Sequence, residues 1–326
     1  MSILIAVTEW DPETWARPLA ERLPERDIRC FPDIGEAEEI HYVLVWKPEP
    51  GLLKSLPHLK IIFSLGAGVD HILLRDPELP DVPIVRIVDP DLTMRMGEYV
   101  VLHVLLHHRQ HLYYQDLQRQ RRWKELRQPV ASAVRVGIMG LGELGRDAAG
   151  KLLRLGFDVA GWSSTPKTLE GVACFAGQAE LDAFLARTDI LVCLLPLTPA
   201  TRGILNRRLF SELRRDGPLG GAVLINAGRG ELQVGADIVA ALDAGDLQAA
   251  SLDVFETEPL PADSPLWELD NVIITPKVGG MTDVYVEQTA PIVGHNLRAY
   301  REGRLSDLLN VVPNEAPAKK LKEKRQ

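Results

Sequence analysis

A chain of 326 residues, 46% of them apolar, has material for two ordinary domains and is too long for one small core. Its formal net charge is -8 and its pI about 5.6, a balance that disfavours nucleic acid, whose binders carry a basic face against the phosphates. Cys30, Cys174 and Cys193 stand far apart without C-x-x-C spacing, as expected of inert buried thiols in a reducing cytosol.

The apolar run Ile3–Val7, with no basic segment before it, reads as a first core strand and not as a secretion signal. Tyr42–Val45, Ile61–Leu65 and Ile84–Ile87 are the next strand candidates, and helical patterns between them indicate a parallel α/β sheet. From Leu92 to about Trp123 the periodicity predicts one long amphipathic helix between domains, with an apolar face suited to a dimer interface. Glu98, His103, His107, His108 and Arg109 interrupt it, so nothing approaches the ~20 apolar residues that span a bilayer. A soluble cytoplasmic protein without membrane partners is expected.

A second alternating series follows, with strands at Val134–Met139, Phe157–Trp162, Ile190–Leu195, Ala222–Ile225, Ala249–Leu252 and Val272–Thr275. Six strands suit a complete dinucleotide-binding sheet. The last helical segment, Thr282 to about Arg301, is expected to cross back to the first domain. The expected division is therefore 1–97 with 284–313 for a discontinuous substrate domain and 98–283 for the dinucleotide-binding domain, including the long helix. Residues 314–326, lysine-rich and without apolar periodicity, are expected to form a solvated tail.

Gly140-Leu-Gly-Glu-Leu-Gly145 follows an apolar strand and opens the helical run Leu144–Leu155. In that setting G-x-G-x-x-G is a dinucleotide signature: Gly140 for the tight turn, Gly142 for close approach of a pyrophosphate, and Gly145 for helix-to-strand packing. The helix N-terminus offers free N–H groups and a positive dipole end to the phosphates. The next strand ends at Gly161-Trp-Ser163, where an NAD enzyme places a carboxylate on the ribose 2′-OH, and none is present. Ser163, Ser164, Thr165 and Lys167 instead offer hydroxyls and a cation suited to a 2′-phosphate. NADP(H) is favoured, with NAD(H) still possible because the usual Arg is missing.

With Gly66-Ala-Gly-Val-Asp70, the glycine loop, Leu195-Pro-Leu-Thr198, Ile225-Asn-Ala-Gly-Arg-Gly230, Leu252-Asp-Val-Phe-Glu256 and Glu258-Pro-Leu-Pro261 in order and spacing, the chain resembles the D-isomer-specific 2-hydroxyacid dehydrogenases. Within them it looks most like the bacterial glyoxylate/hydroxypyruvate reductases of the A type, over nearly its whole length. The resemblance implies two Rossmann-like domains, the larger a doubly wound parallel sheet and the smaller flavodoxin-like. It implies homodimers and reduction of a small 2-oxo acid with a nicotinamide cofactor.

A 2-oxo acid carries a carboxylate beside a ketone, and negative charge grows on the ketone oxygen as hydride reaches C2. Arg229, flanked by Gly228 and Gly230 after a strand, offers a planar fork of donors to both groups. The loop at Gly66–Val69 also follows a strand, and its N–H groups suit a carboxylate. The resemblance assigns that contact to the amides of Ala67 and Gly68, the substrate-side aromatic to Trp46, and the carboxamide contact to Asp253. It also places Leu195, Pro196 and Thr198 along the ribose and nicotinamide, and extends the cofactor set to Glu143, Leu144, Ala227 and Gly279.

The family's proton relay pairs a Glu with a His. Glu258 stands in its motif, but Lys277 occupies the place of the His. Lysine starts near ~10.4, far above histidine; a neighbouring carboxylate favours the ammonium and burial disfavours it. Three readings stay open: Lys277 is the acid, with Glu258 orienting it; Lys277 acts only electrostatically and water supplies the proton; or catalysis is lost and the chain is an NADP-binding regulatory protein. A dehydrogenase for a bulkier 2-oxo acid would keep the same residues. His107 and His111 share i,i+4 spacing, but no acidic or Cys partner completes a shell and no metal is expected. His71, beside the Gly66–Val69 loop, is a substitute acid or a local packing residue.

Overall fold

A computed structural model of the chain describes residues 2–8, 10–76, 78–88, 90–282 and 284–312; the segment 314–326, expected as a solvated tail, lies outside them. Two compact units divide the chain, one taking residues up to 89 and those from 282 on, the other residues 90–281. The first division falls at 89/90 and not at 97/98, because residues 90–108 form one continuous helix that packs along the helix after the glycine loop. The second falls at 281/282, two residues before the expected 283/284.

The first unit contains β1 (Ser2–Val7), α1 (Glu13–Arg22), β2 (Asp27–Cys30), β3 (Ile40–Trp46), β4 (Ile61–Ser64), α2 (Asp70–Leu73) and β5 (Ile84–Arg86), with the C-terminal helix Tyr285–Arg301. Its strands lie in the order β2-β1-β3-β4-β5, all parallel, the flavodoxin-like order. Every residue of β1 is buried, because both faces are covered: Ile3, Ile5 and Val7 pack with Trp15, Leu19, Val293 and Leu297, while Leu4 and Ala6 pack with Val43, Leu53, Ile62 and Ile72. Strand order reverses between β1 and β3, where Val7 pairs with Trp46; ligands collect at such switch points.

The second unit contains α3 (Pro90–His108), α4 (His111–Arg119), β6 (Arg135–Met139), α5 (Glu143–Arg154), β7 (Asp158–Ser163), β8 (Ala173–Ala176), α6 (Leu181–Ala186), β9 (Ile190–Cys193), α7 (Arg207–Ser211), β10 (Ala222–Asn226), α8 (Gly235–Ala244), β11 (Leu247–Leu252) and β12 (Val272–Ile274). The sheet runs β12-β11-β10-β9-β6-β7-β8, all parallel. This is the doubly wound order, with its switch point between β6 and β9.

Three expectations need correction. The strands β2 and β8 were not expected. Both are sheet edges with no fully buried position, so neither shows the apolar run that marks a central strand. The single helix from Leu92 to Trp123 is two: α3 stops at His108, and Gln110 takes a left-handed conformation (φ 54°, ψ 38°) before α4. His107 and His111 are thereby on different helices, with His107 Nε2 2.8 Å from Ser251 Oγ and His111 exposed. Of the thiols only Cys193 is fully buried, which pushes it up to about 12; Cys30 and Cys174 are half-buried. No helix of the described residues is long and apolar enough to cross a membrane.

Candidate active site

The glycine loop turns at the switch point of the second unit. Gly140 has φ +104°, and a Cβ there would stand 2.8 Å from the Leu194 carbonyl oxygen; a Cβ on Gly145 would collide with the Gly140 carbonyl. Gly142 differs, since a Cβ on it would meet no protein atom within 4 Å. Packing within the chain therefore does not require glycine at 142, and the space beside it is open to a ligand. Gly142 caps α5 without a side-chain bond, so Glu143, Leu144 and Gly145 bring their amides to an uncapped helix start. These features fit a dinucleotide pyrophosphate.

Beyond β7, Ser163 is buried and donates its hydroxyl to the Thr165 carbonyl at 2.7 Å, while Ser164, Thr165 and Lys167 are exposed. The hydroxyl proton of Ser163 thus shapes the loop, and the exposed hydroxyls and cation are those of its three neighbours. After β9, on the other side of the switch point, Leu195 is buried; Thr201 Oγ1 donates to the Pro196 carbonyl (2.7 Å) and accepts from the Thr198 amide (2.8 Å), which closes the segment into a fixed turn.

Arg229 follows β10 in extended conformation, half-buried, with Nη1 donating to the Gly228 carbonyl at 2.8 Å. Its flanking glycines lie close against other parts of the chain. A Cβ on Gly228 would stand 2.8 Å from Leu232, and one on Gly230 would collide with the Phe255 carbonyl. Two buried amides not expected as site residues hold this turn: Asn226 Oδ1 accepts from the Gly228 amide (3.1 Å), and Asn226 Nδ2 donates to Gln233 Oε1 (2.8 Å) and the Arg229 carbonyl (3.3 Å). Gln233 Nε2 donates in turn to the Val254 carbonyl (3.2 Å). Ala227 is buried under the turn, its amide donating to the Cys193 carbonyl. Polar side chains inside an apolar motif were the available signal for Asn226 and Gln233.

Lys277 Nζ donates to Glu258 Oε2 at 2.6 Å, and Glu258 Oε1 accepts from the Phe255 amide at 3.3 Å. The pair is partly shielded, with 36% of the Lys277 and 23% of the Glu258 side chain exposed. Lys277 is left-handed (φ 58°), uncommon for a residue with a Cβ, and Asp253 holds the turn that carries it. Asp253 Oδ1 accepts from Thr275 Oγ1 (2.6 Å) and the Val278 amide (2.9 Å), and Oδ2 accepts from the Gly279 amide (3.0 Å). Tyr99 on α3 reaches the same network, its hydroxyl 2.9 Å from Thr275 Oγ1. Burial raises the Asp253 carboxyl, and these donors oppose the rise. Three of its roughly four acceptor sites are committed to the chain, leaving about one for a carboxamide. Neither Thr275 nor Tyr99 was expected; a lone Thr and a helix Tyr carry no motif.

In the first unit, Trp46 ends β3 at the switch point and stacks on Trp10 (centroids 4.9 Å apart, planes 9° apart). Ala67 and Gly68 follow β4, both half-buried, and no acceptor among the described residues engages their amides. His71, on α2, is buried beside Trp46, with ring centroids 4.6 Å apart.

Among known proteins, the family model described as D-isomer specific 2-hydroxyacid dehydrogenase, NAD binding domain, matches residues 101–279. A glyoxylate/hydroxypyruvate reductase A from Yersinia enterocolitica is 40% identical over 311 residues, 93% of this chain and 96% of that protein. The crystal structure of an NADPH-dependent glyoxylate/hydroxypyruvate reductase from Sinorhizobium meliloti, in complex with NADP and sulfate, is similar with a TM-score of 0.89 and 47% identity, over 97% of this chain and 99% of that one. A probable 2-hydroxyacid dehydrogenase from Rhizobium etli, in complex with NADP, HEPES and L(+)-tartaric acid, gives a TM-score of 0.88 and 47% identity over 95% and 97%.

Proposed function

The chain belongs to the D-isomer-specific 2-hydroxyacid dehydrogenase family, and from that premise we propose that it is an NADPH-dependent reductase of small 2-oxo acids of the glyoxylate and hydroxypyruvate class. The observation that carries the reading is the Lys277–Glu258 ion pair on the same unit as an intact glycine loop and Arg229. The pair keeps a cation aligned at 2.6 Å on the relay glutamate, the arrangement that delivery of a proton to a substrate requires. Similar proteins solved with NADP or named as glyoxylate/hydroxypyruvate reductases support the cofactor and the substrate class.

The uncapped start of α5 holds the pyrophosphate, and Ser164, Thr165 and Lys167 hold the 2′-phosphate, where a carboxylate would repel it. Leu195, Pro196, Thr198, Ala227 and Gly279 line the nicotinamide side, and Asp253 gives its remaining acceptor site to the carboxamide. NADPH supplies a hydride for C2 of the substrate. Arg229 binds the carboxylate and polarises the ketone, so charge growing on that oxygen meets a donor already in place. On the first unit, the amides of Ala67 and Gly68 are the proposed donors to a carboxylate, and Trp46 the proposed aromatic that favours a small C2 substituent. Lys277 Nζ gives a proton to the ketone oxygen as the C–O bond becomes an alcohol. Glu258 keeps the ammonium aimed and compensates its charge.

A homodimer belongs to the same reading. Leu102 (53% exposed), Tyr113 (53%), Trp123 (99%) and Val130 (67%) leave large apolar side chains in solvent along one stretch of chain; Trp123→Asp should shift sedimentation toward a monomer. Cytoplasmic placement is part of the proposal too, as the compartment where NADPH is the working reductant. The test of function is steady-state NADPH oxidation over a panel of 2-oxo acids. Turnover that falls as the C2 substituent grows supports the reading, and NADPH binding without consumption overturns it.

A further inference from the structure

Behind the loop that carries Ala67 and Gly68 lies a buried chain of polar groups that the reaction does not use. His71 Nδ1 accepts a hydrogen bond from the Lys47 backbone N–H at 3.1 Å. An imidazole that accepts at Nδ1 carries its proton on Nε2 when neutral, and His71 Nε2 stands 2.8 Å from Ser64 Oγ. Ser64 therefore accepts from His71, and its own proton goes to the Gly68 carbonyl (2.8 Å), with the Gly66 carbonyl also in reach (3.3 Å). The Gly66 carbonyl further accepts from the Ile87 amide at 3.1 Å.

This order of donors fixes the loop. In a trans peptide the C=O and the following N–H point opposite ways. A Gly66 carbonyl held toward Ser64 and Ile87 sends the Ala67 N–H away from them. A Gly68 carbonyl held by Ser64 likewise fixes the peptide on the other side of the Gly68 amide. The same imidazole supports Trp46: the rings lie 4.6 Å apart, and a Cβ on Gly66 would stand 2.6 Å from the Trp46 ring, so loop and aromatic share one packing surface. Lys47, just after Trp46, is left-handed (φ 48°), a conformation that needs holding in a residue with a Cβ. Its amide is tied to His71, and its carbonyl accepts from Thr8 Oγ1 (3.1 Å) and Arg75 Nη1 (3.3 Å).

We propose that His71 is a positioning residue for the substrate carboxylate, acting as a fixed Nε2–H tautomer that orders Ser64, the amides of the Ala67–Gly68 loop and Trp46. This role excludes it as a substitute acid, since both ring nitrogens are engaged in the fold. It rests on the reading of that loop as the carboxylate site.

The test uses the NADPH-loaded protein. His71→Phe keeps a ring against Trp46 and removes both nitrogens; it should raise KM for glyoxylate about tenfold with kcat within about threefold and KM for NADPH unchanged. His71→Gln, which can still donate to Ser64, should recover most of the loss, and Ser64→Ala should reproduce His71→Phe. In the wild type, nitrogen-15 NMR should show His71 as the neutral Nε2–H tautomer. An Nδ1–H tautomer, or an unchanged KM in both His71→Phe and Ser64→Ala, overturns the proposal. If the wild type turned over no 2-oxo acid, the proposed function would fall. Oxalate titrated onto the NADPH-loaded proteins would still decide the role of His71, by weaker binding in His71→Phe or by equal binding.

Discussion

Replacing Lys277 with alanine separates chemistry from binding and folding more cleanly than any other change in this protein. Alanine keeps a Cβ at the left-handed position (φ 58°), so the backbone cost of that conformation is the same before and after. Among what disappears is the 2.6 Å contact between Nζ and Glu258 Oε2. The lysine side chain is 36% exposed, and pairs this open to solvent contribute at most about 1 kcal/mol to stability, so the variant should melt within a few degrees of wild type. A positioned general acid contributes about 10² to 10⁴ in rate, which is about 3–5 kcal/mol of barrier. Saturating glyoxylate and NADPH should therefore give a kcat lower by that factor, with KM for NADPH unchanged, and small primary amines should restore part of the rate. A loss below about threefold would show that water supplies the proton and refute the role given to Lys277. Lys277→His should further raise the oxidative direction near neutral pH, because imidazole accepts as well as donates there.

Arg229→Lys should lower kcat/KM for glyoxylate by about 10² or more in the same assay, since an ammonium cannot span carboxylate and ketone as a planar fork does; retention of activity would remove Arg229 from the reacting centre. Lys167→Ala should raise KM for NADPH several-fold and leave that for NADH unchanged, and equal effects on both would move the 2′-phosphate site elsewhere. Burial lowers His107 to about 3 and His103 to about 4. Both are depressed in the fold, so the unfolded chain binds the extra protons. Stability is fully present above the unfolded value near 6.5 and is lost as pH falls from there toward 4 to 3, on the order of 2–3 kcal/mol for each histidine by about pH 4.5. Urea melts at pH 7.5 and 4.5 should show this, and His107→Gln, which can still meet Ser251, should narrow the difference; an equal difference in the variant would refute it.

The central strands could be read from the chain because a strand covered on both faces, such as β1, shows as an unbroken apolar run. The edge strands β2 and β8 could not, since polar residues such as the exposed Asp27 and the half-buried Arg29 imitate a loop. The break between α3 and α4 rests on the backbone of Gln110, a residue whose side chain does not announce a left-handed turn. The same limit applies to the candidate site. Gly140 and Gly145 were legible because only glycine fits beside a carbonyl, and Lys277 because it departs from a pattern. Asp253 was legible as a residue, but its commitment to Thr275, Val278 and Gly279 depends on a meeting of β11 with the turn after β12. Ser64 and His71 lie seven positions apart on either side of a loop, and only the folded turn brings them together at 2.8 Å.

The most direct measurement is to run the reduction of glyoxylate with NADPH carrying deuterium at the transferable position and to examine the glycolate. One deuterium is expected at C2 of the product for each NADPH consumed, with the hydroxyl proton drawn from the solvent pool. Unlabelled glycolate, or protein that binds NADPH and leaves both reactants unchanged, would contradict the proposed function.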